Sequence, residues 1–233
     1  MQFIPHYSSS RGNLYSLIDG DLRLLLECGV PIARIREAVG YRLSDYQACL
    51  LTHCHMDHAK AAKDVMAAGL DLYCSEGTAD ALGLTGHRLH RLERDPVGIG
   101  GARVLPVPVQ HDAPDPVGFL IAGPGYKLLF ATDTYFIGYR FRGLTHICVE
   151  CNWSLKTIPE DIDPAHYRRL LTSHMMLETL VDMLRANDLS RVREIHLLHL
   201  SREHADADMF RETIMQVTGR PVFVAENNPA ERI

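Results

Sequence analysis

Residues His53, Cys54, His55, Met56, Asp57 and His58 place three imidazoles and a carboxylate within six positions. Imidazole and carboxylate together are donors for zinc, and also for manganese or iron. On an extended turn, His53 and His55 are two apart and project to the same side. Asp57 and His58 follow once the chain bends, so they can face a second ion. An accidental, solvated His-rich turn is the bland alternative, but a His tract at a strand end calls for a reason. The flanking elements supply the position. Ala48 to Thr52 is a short apolar run that reads as a buried strand. Ala59 to Ala68 is a run of strong helix formers. The cluster therefore falls on a strand-to-helix turn, the usual place for a site in an α/β protein.

The remaining elements follow from local pattern. Residues 1–30 read as two strands, Leu14 to Ile18 and Leu22 to Gly29, joined by the turn Asp19-Gly20-Asp21, with residues 8–13 as a polar loop. Pro31 to Val39 reads as a short helix with Ile32, Ile35 and Val39 on one face. Leu70 to Cys74 is a strand, and residues 75–82 form a short helix opened by Ser or Thr. Residues 83–100 carry His87, Arg88, His90, Arg91 and Arg94 and read as a solvated basic loop rather than a contact for an anionic substrate. Ala102 to Val109 is a strand, placed at an edge by Pro106 and Pro108, and leads to His111. Gly118 to Ile121 and Lys127 to Phe130 form a hairpin, and the second strand leads to Asp133. Thr145 to Glu150 is a buried strand ending in an acid, residues 159–187 are helical, Ile195 to Leu198 leads to His199, and Pro221 to Ala225 is a last strand. No repeat, linker or low-complexity tract interrupts the pattern, so residues 1–233 read as one domain.

The net charge of −5 gives no global basic field, which weakens tight non-specific nucleic-acid binding but leaves room for a local basic groove. A hydrophobic fraction of 46% is ample for a packed core. The six cysteines suit neither a zinc ribbon nor a disulfide framework. Most lie in apolar runs and read as buried thiols, which fits a reducing cytosol. No signal peptide is read at the N-terminus, and no apolar run reaches the roughly 18 residues of a membrane span. The expected location is cytoplasmic.

H-x-H-x-D-H after a strand is the signature of the metallo-β-lactamase fold superfamily, which this sequence resembles. The resemblance implies a four-layer αβ/βα sandwich. It also implies three further ligands in chain order, a His, an Asp and a His, each at a strand end. His111, Asp133 and His199 occupy those places. The sequence further resembles the YycJ/WalJ-type hydrolases. Ser8 to Asn13 is similar to their S-x-S-S-G-N opening and His111 to Gly118 to their H-D-A-x-D-P-x-G. Glu150-Cys151-Asn152 is similar to their E-x-N and His199 to His204 to their H-L-S-x-E-H. It departs from that type in reading Trp153-Ser154 after Asn152, where a His-Asp pair is usual, and in Glu27, where the superfamily usually has Asp.

What the resemblance implies is specific. One divalent ion, Zn²⁺ or Mn²⁺, would be held by His53, His55 and His111, the other by Asp57, His58 and His199. Asp133 and a water or hydroxide would bridge them. Glu150 and His174 match the proton-handling pair of the tRNA-processing relatives, and with Asp57 they make up the catalytic set. Glu27 would orient the His cluster, and His204 would either touch substrate or make a structural hydrogen bond. The expected activity is that of a metal-dependent phosphodiesterase, a DNA exonuclease in which the bridging hydroxide attacks the phosphodiester. The alternative is a small-molecule hydrolase on the same fold: a cyclic-nucleotide phosphodiesterase, a thioesterase or a lactonase. Superfamily members often dimerise, so the resemblance leaves room for a homodimer, though the sequence carries no coiled-coil heptad or other assembly signal.

Overall fold

Strand and helix alternate along most of the chain, as the apolar periodicity predicts, in a computed structural model that describes residues 1–225. These divide into two compact units. One contains Met1–Pro108 and Ala113–Pro124, the other Val109–Asp112 and Gly125–Ala225.

In the first unit, β1 (Gln2–Ser9), β2 (Gly12–Asp19) and β3 (Leu22–Leu26) form an antiparallel meander. Helix α1 (Ile32–Ala38) then carries the chain across to β4 (Ala48–Leu50), which runs parallel to β3. The short helices α2 (Met56–Ala59) and α3 (Ala62–Ala67) lead to β5 (Asp71–Ser75), and α4 (Glu76–Ala81) leads to β6 (Leu89–Leu92), again with parallel pairing. The sheet order is β1-β2-β3-β4-β5-β6. Strands covered by crossover helices read as continuous apolar runs; Leu24 to Leu26 and Ala48 to Leu51 are wholly buried. Leu25, Cys49 and Leu72 from the strands share one core with Ile35, Val65 and Ala79 from the helices. The same unit contains β7 (Val97–Ile99), β8 (Ala102–Pro108) and β9 (Val117–Gly123), paired antiparallel in that order.

In the second unit, β10 (Tyr126–Ala131), β11 (His146–Glu150), β12 (Glu194–Leu198) and β13 (Val222–Val224) pair in parallel. Helices α5 (Pro164–Ser173) and α6 (Leu177–Arg185) connect β11 to β12, and α7 (Ala207–Thr218) connects β12 to β13. Asp163 caps α5 by accepting from the amides of Ala165 and His166, with Pro164 at the first helical position.

The α/β class expected from the sequence is the observed one, with local corrections. Residues 8–13, read as a polar loop, are the end of β1 and the start of β2 with only Ser10 and Arg11 turning between them, and β1 itself, not read from the sequence, has its alternation broken by a register shift between Pro5 and Tyr7. The helix after the His cluster begins earlier than expected, at Met56, and is interrupted before Ala62. Residues 83–100 contain β6 and β7. Arg88 pairs with Asp71 at 2.9 Å and Arg91 with Asp80 at 2.7 Å, ion pairs on the solvent-exposed edge of the sheet. Strand β8 is flanked on both sides, but β7 covers only Ala102 to Val104, and the prolines lie beyond its end. Helix α7 has no counterpart in the sequence reading. All six cysteines are free and five are buried. Among the described residues, no helix is long and apolar enough to cross a membrane.

Candidate metal centre

In the first unit the buried strand β4 runs on through Leu51 and Thr52 to His53, which is itself buried. His55 stands immediately before α2 in an extended conformation, Asp57 lies in the first turn and His58 is completely buried. The His53 ring lies 4.8 Å from that of His55 and 4.2 Å from that of His58. The four residues of the H-x-H-x-D-H motif thus converge around one short turn.

Glu27 is the organising group beneath them. It is fully buried, directly after β3, with φ 67°. Thr52 Oγ1 donates to Glu27 Oε1 at 2.6 Å. That hydroxyl proton being committed, Thr52 Oγ1 accepts from His53 Nδ1 at 2.9 Å. His58 Nδ1 lies 3.5 Å from the same Glu27 oxygen. On its other side, His58 Nε2 faces the Asn13 side-chain NH₂ at 3.1 Å. A carboxylate only accepts, and the Asn13 amide is oriented by the Tyr15 hydroxyl donating to its oxygen at 3.0 Å. Both imidazoles are thereby set with the proton on Nδ1 and the lone pair on Nε2.

The loop is locked onto β3 by backbone contact. Cys28 N–H donates to the His58 carbonyl at 2.8 Å and Ala61 N–H to the Cys28 carbonyl at 2.9 Å. At Gly29 a Cβ would overlap the Asp57 carbonyl. Both sides of that clash are backbone, so no rotamer relieves it. Gly29→Ala is expected to cost on the order of 2–3 kcal/mol, read as a lowered urea midpoint. An unchanged midpoint would mean that the turn can move away from Gly29 without cost.

In the second unit the donors also stand at strand ends. Asp133 follows β10 and His199 follows β12, with φ 46° and 51°. The Asn152 amide donates to the His199 carbonyl at 2.7 Å and holds it in that conformation. Glu150, the last residue of β11, is fully buried and accepts four hydrogen bonds. Oε1 takes His174 Nδ1 at 2.7 Å and His199 Nδ1 at 3.2 Å. Oε2 takes the amides of Thr134 at 2.9 Å and Met175 at 3.1 Å. Burial opposes the charge on Glu150, but the His174 imidazole and the hydrogen bonds from His174 and His199 outweigh it and hold the carboxylate below its ordinary value. Burial likewise opposes charge on His174, and Glu150 outweighs it, raising the imidazole above its ordinary value. His111 donates from Nδ1 to the Ser173 carbonyl at 2.9 Å, and burial lowers its pKa despite nearby carboxylates. Its Nε2 lies 3.6 Å from Asp133 Oδ2. Asp133, Glu150, His174 and His199 each offer a donor atom within 4.8 Å of the others.

Of the residues singled out from the sequence, His53, His55, Asp57 and His58 come together in the first unit, and His111, Asp133, Glu150, His174 and His199 in the second. The donor set fits a divalent metal. It is imidazole and carboxylate, and His53, His111 and His199 each have Nδ1 directed at an oxygen, the arrangement that would present Nε2 to an ion; at His58 an ion would have to take the place of the Asn13 amide on Nε2. Outer partners of this kind fix ring orientation in metal sites. The sequence reading placed Asn13 in the family's opening motif without a role and did not single out Thr52 or the Ser173 carbonyl. His204 is buried, packs its ring 5.3 Å from that of His166 and accepts from Thr157 through its carbonyl at 2.6 Å.

Comparison with known proteins gives the family. Residues 23–200 match the model of the β-lactamase superfamily domain. The chain is 25% identical to an exodeoxyribonuclease YycJ of Bacillus anthracis, over 90% of this chain and 86% of the relative. It is 23% identical to an exodeoxyribonuclease WalJ of Streptococcus pneumoniae, over 89% and 84%. Its fold is similar to that of the metallo-β-lactamase fold protein YhfI of Bacillus subtilis, with a TM-score of 0.74, 16% identity and 97% of each chain covered. Sequence match, fold and donor chemistry converge: the chain belongs to the β-lactamase superfamily, as a metal-dependent hydrolase of the metallo-β-lactamase fold.

Proposed function

We propose that this protein is a metal-dependent phosphodiesterase acting on DNA as an exonuclease in the cytoplasm, with residues 1–233 working as one hydrolase domain. The observation that carries the reading is Glu150. One buried carboxylate orients both a metal-type histidine, His199, and a second histidine, His174, at 2.7 Å. The relatives named exodeoxyribonucleases, similar over about nine-tenths of this chain, support the substrate.

By the family resemblance, His53, His55 and His111 would hold one divalent ion and Asp57, His58 and His199 another, with Asp133 available to both; Zn²⁺ and Mn²⁺ suit these donors. Bound there, such ions supply Lewis acidity toward a phosphoryl oxygen and lower the pKa of water. The chain's own residues do the rest. Glu27, through Thr52, keeps His53 Nε2 presented. Glu150 holds the Nδ1 proton of His174, so that His174 exchanges protons through Nε2, at the leaving oxygen. Asp57, with 23% of its side chain exposed, stands where solvent reaches the first unit's cluster.

End-labelled single- and double-stranded DNA, incubated with Mn²⁺ or Zn²⁺ beside an Asp133→Ala control, tests this. Stepwise release of mononucleotides, absent in the control, is expected. No cleavage by a protein shown to hold two ions would move the assignment to small phosphodiesters or carbonyl esters.

A further inference from the structure

The segment that follows Asp133 carries aromatic surface that the hydrolytic groups do not use. Phe136 is 51% exposed and Tyr139 48%. Within the second unit, Tyr135, Phe136, Trp153, Leu171, His174 and Met176 line a cleft of about 180 Å³. Apart from His174, no ionisable group other than the Tyr135 phenol lines it. Walls of this kind, aromatic and aliphatic apart from His174, the Tyr135 phenol and Thr179, suit an uncharged planar group. A cleft of this size has room for one ring system and not for a duplex.

The platform is tied to the proton-handling pair. Thr134 N–H donates to Glu150 Oε2 at 2.9 Å, and Thr134 Oγ1 donates to the Phe136 carbonyl at 2.9 Å. Trp153, completely buried, donates from its indole to the His174 carbonyl at 3.3 Å. Phe136, through Thr134, and Trp153, through the His174 carbonyl, are therefore linked by hydrogen bonds to the Glu150–His174 pair.

We infer that this cleft is a nucleobase subsite: it stacks the base of the nucleotide on the leaving-oxygen side of the scissile bond against Phe136, and so sets that oxygen toward His174. The inference rests on the phosphodiesterase reading and names its substrate group. Base stacking on an aromatic side chain is sequence-tolerant and changes affinity by about tenfold, which suits an enzyme that removes nucleotides one after another.

Trp153 is the only tryptophan in the chain and lines the cleft, so its fluorescence reports occupancy without turnover. The purified protein is titrated with dAMP, deoxyribose 5-phosphate and phenyl phosphate. A saturable emission change with dAMP, binding about tenfold tighter than deoxyribose 5-phosphate, is expected. Phe136→Ala should remove the difference and Phe136→Tyr should keep it. Equal binding of dAMP and deoxyribose 5-phosphate, no emission change at high dAMP, or a difference that survives in Phe136→Ala overturns the subsite. Phenyl phosphate binding as tightly as dAMP overturns it as well, by showing a site for any aryl group. DNA hydrolysis with base-independent binding counts against the subsite alone. Base-dependent binding without hydrolysis of any phosphodiester counts against the phosphodiesterase reading alone.

Discussion

Replacing His174 by alanine should lower phosphodiester turnover by about a hundredfold or more while leaving the divalent-metal content unchanged. The geometry separates His174 from the other second-unit histidines. It caps the C-terminal end of α5 rather than following a strand, and its Nδ1 makes a 2.7 Å bond to Glu150. Its side chain keeps 14% exposure, against 3% for His199 and 1% for His111. A group that must reach a substrate oxygen needs that opening, whereas a ligand does not. Turnover at saturating substrate and elemental analysis of the same preparation decide the matter. Metal lost in proportion to activity would make His174 a ligand or a structural residue instead.

Glu150→Gln should destabilise the folded protein by about 3–5 kcal/mol, the range for breaking a buried charged pair from one side. All four partners of this carboxylate are donors. A glutamine keeps one accepting oxygen and turns an NH₂ toward two of them, and a buried donor without an acceptor costs about 1–3 kcal/mol. Against a typical total of roughly 5–15 kcal/mol, the loss is large. Urea denaturation measures it. The pH dependence adds a signature. Folding lowers the Glu150 pKa from 4.5, so its stabilisation is present above that value and disappears as pH falls through the folded pKa. The glutamine variant should lack this acid-side loss. An unchanged urea midpoint would mean that the four hydrogen bonds contribute nothing net.

What could be read in the sequence follows from the chemistry each residue needs. Ligand positions demand rare side chains at strand ends, so the turn at 53–58 and the acids at Glu27, Asp133 and Glu150 stand out from an otherwise apolar pattern. Thr52 does not, because a threonine ending a strand is ordinary and its role exists only through two hydrogen bonds to Glu27 and His53. The Ser173 carbonyl that orients His111 has no sequence signature at all, since every residue has a carbonyl. Strand β6 was hidden for a related reason. His90 and Arg91 look solvated, yet His90 stacks on Tyr73 at 4.4 Å and Arg91 pairs with Asp80, contacts that form only once the strands are side by side.

Glu27, Asp133 and His199 share left-handed backbone, and each directly follows or nearly follows a strand. Non-glycine residues held there are strained by about 1–3 kcal/mol apiece. Glycine at such a position relieves strain and abolishes the donor in one step. Laboratory evolution for heat resistance alone would therefore drift toward inactive variants at the very positions that carry the chemistry. Only a screen that scores turnover together with thermal survival would keep all three acids and imidazoles in place.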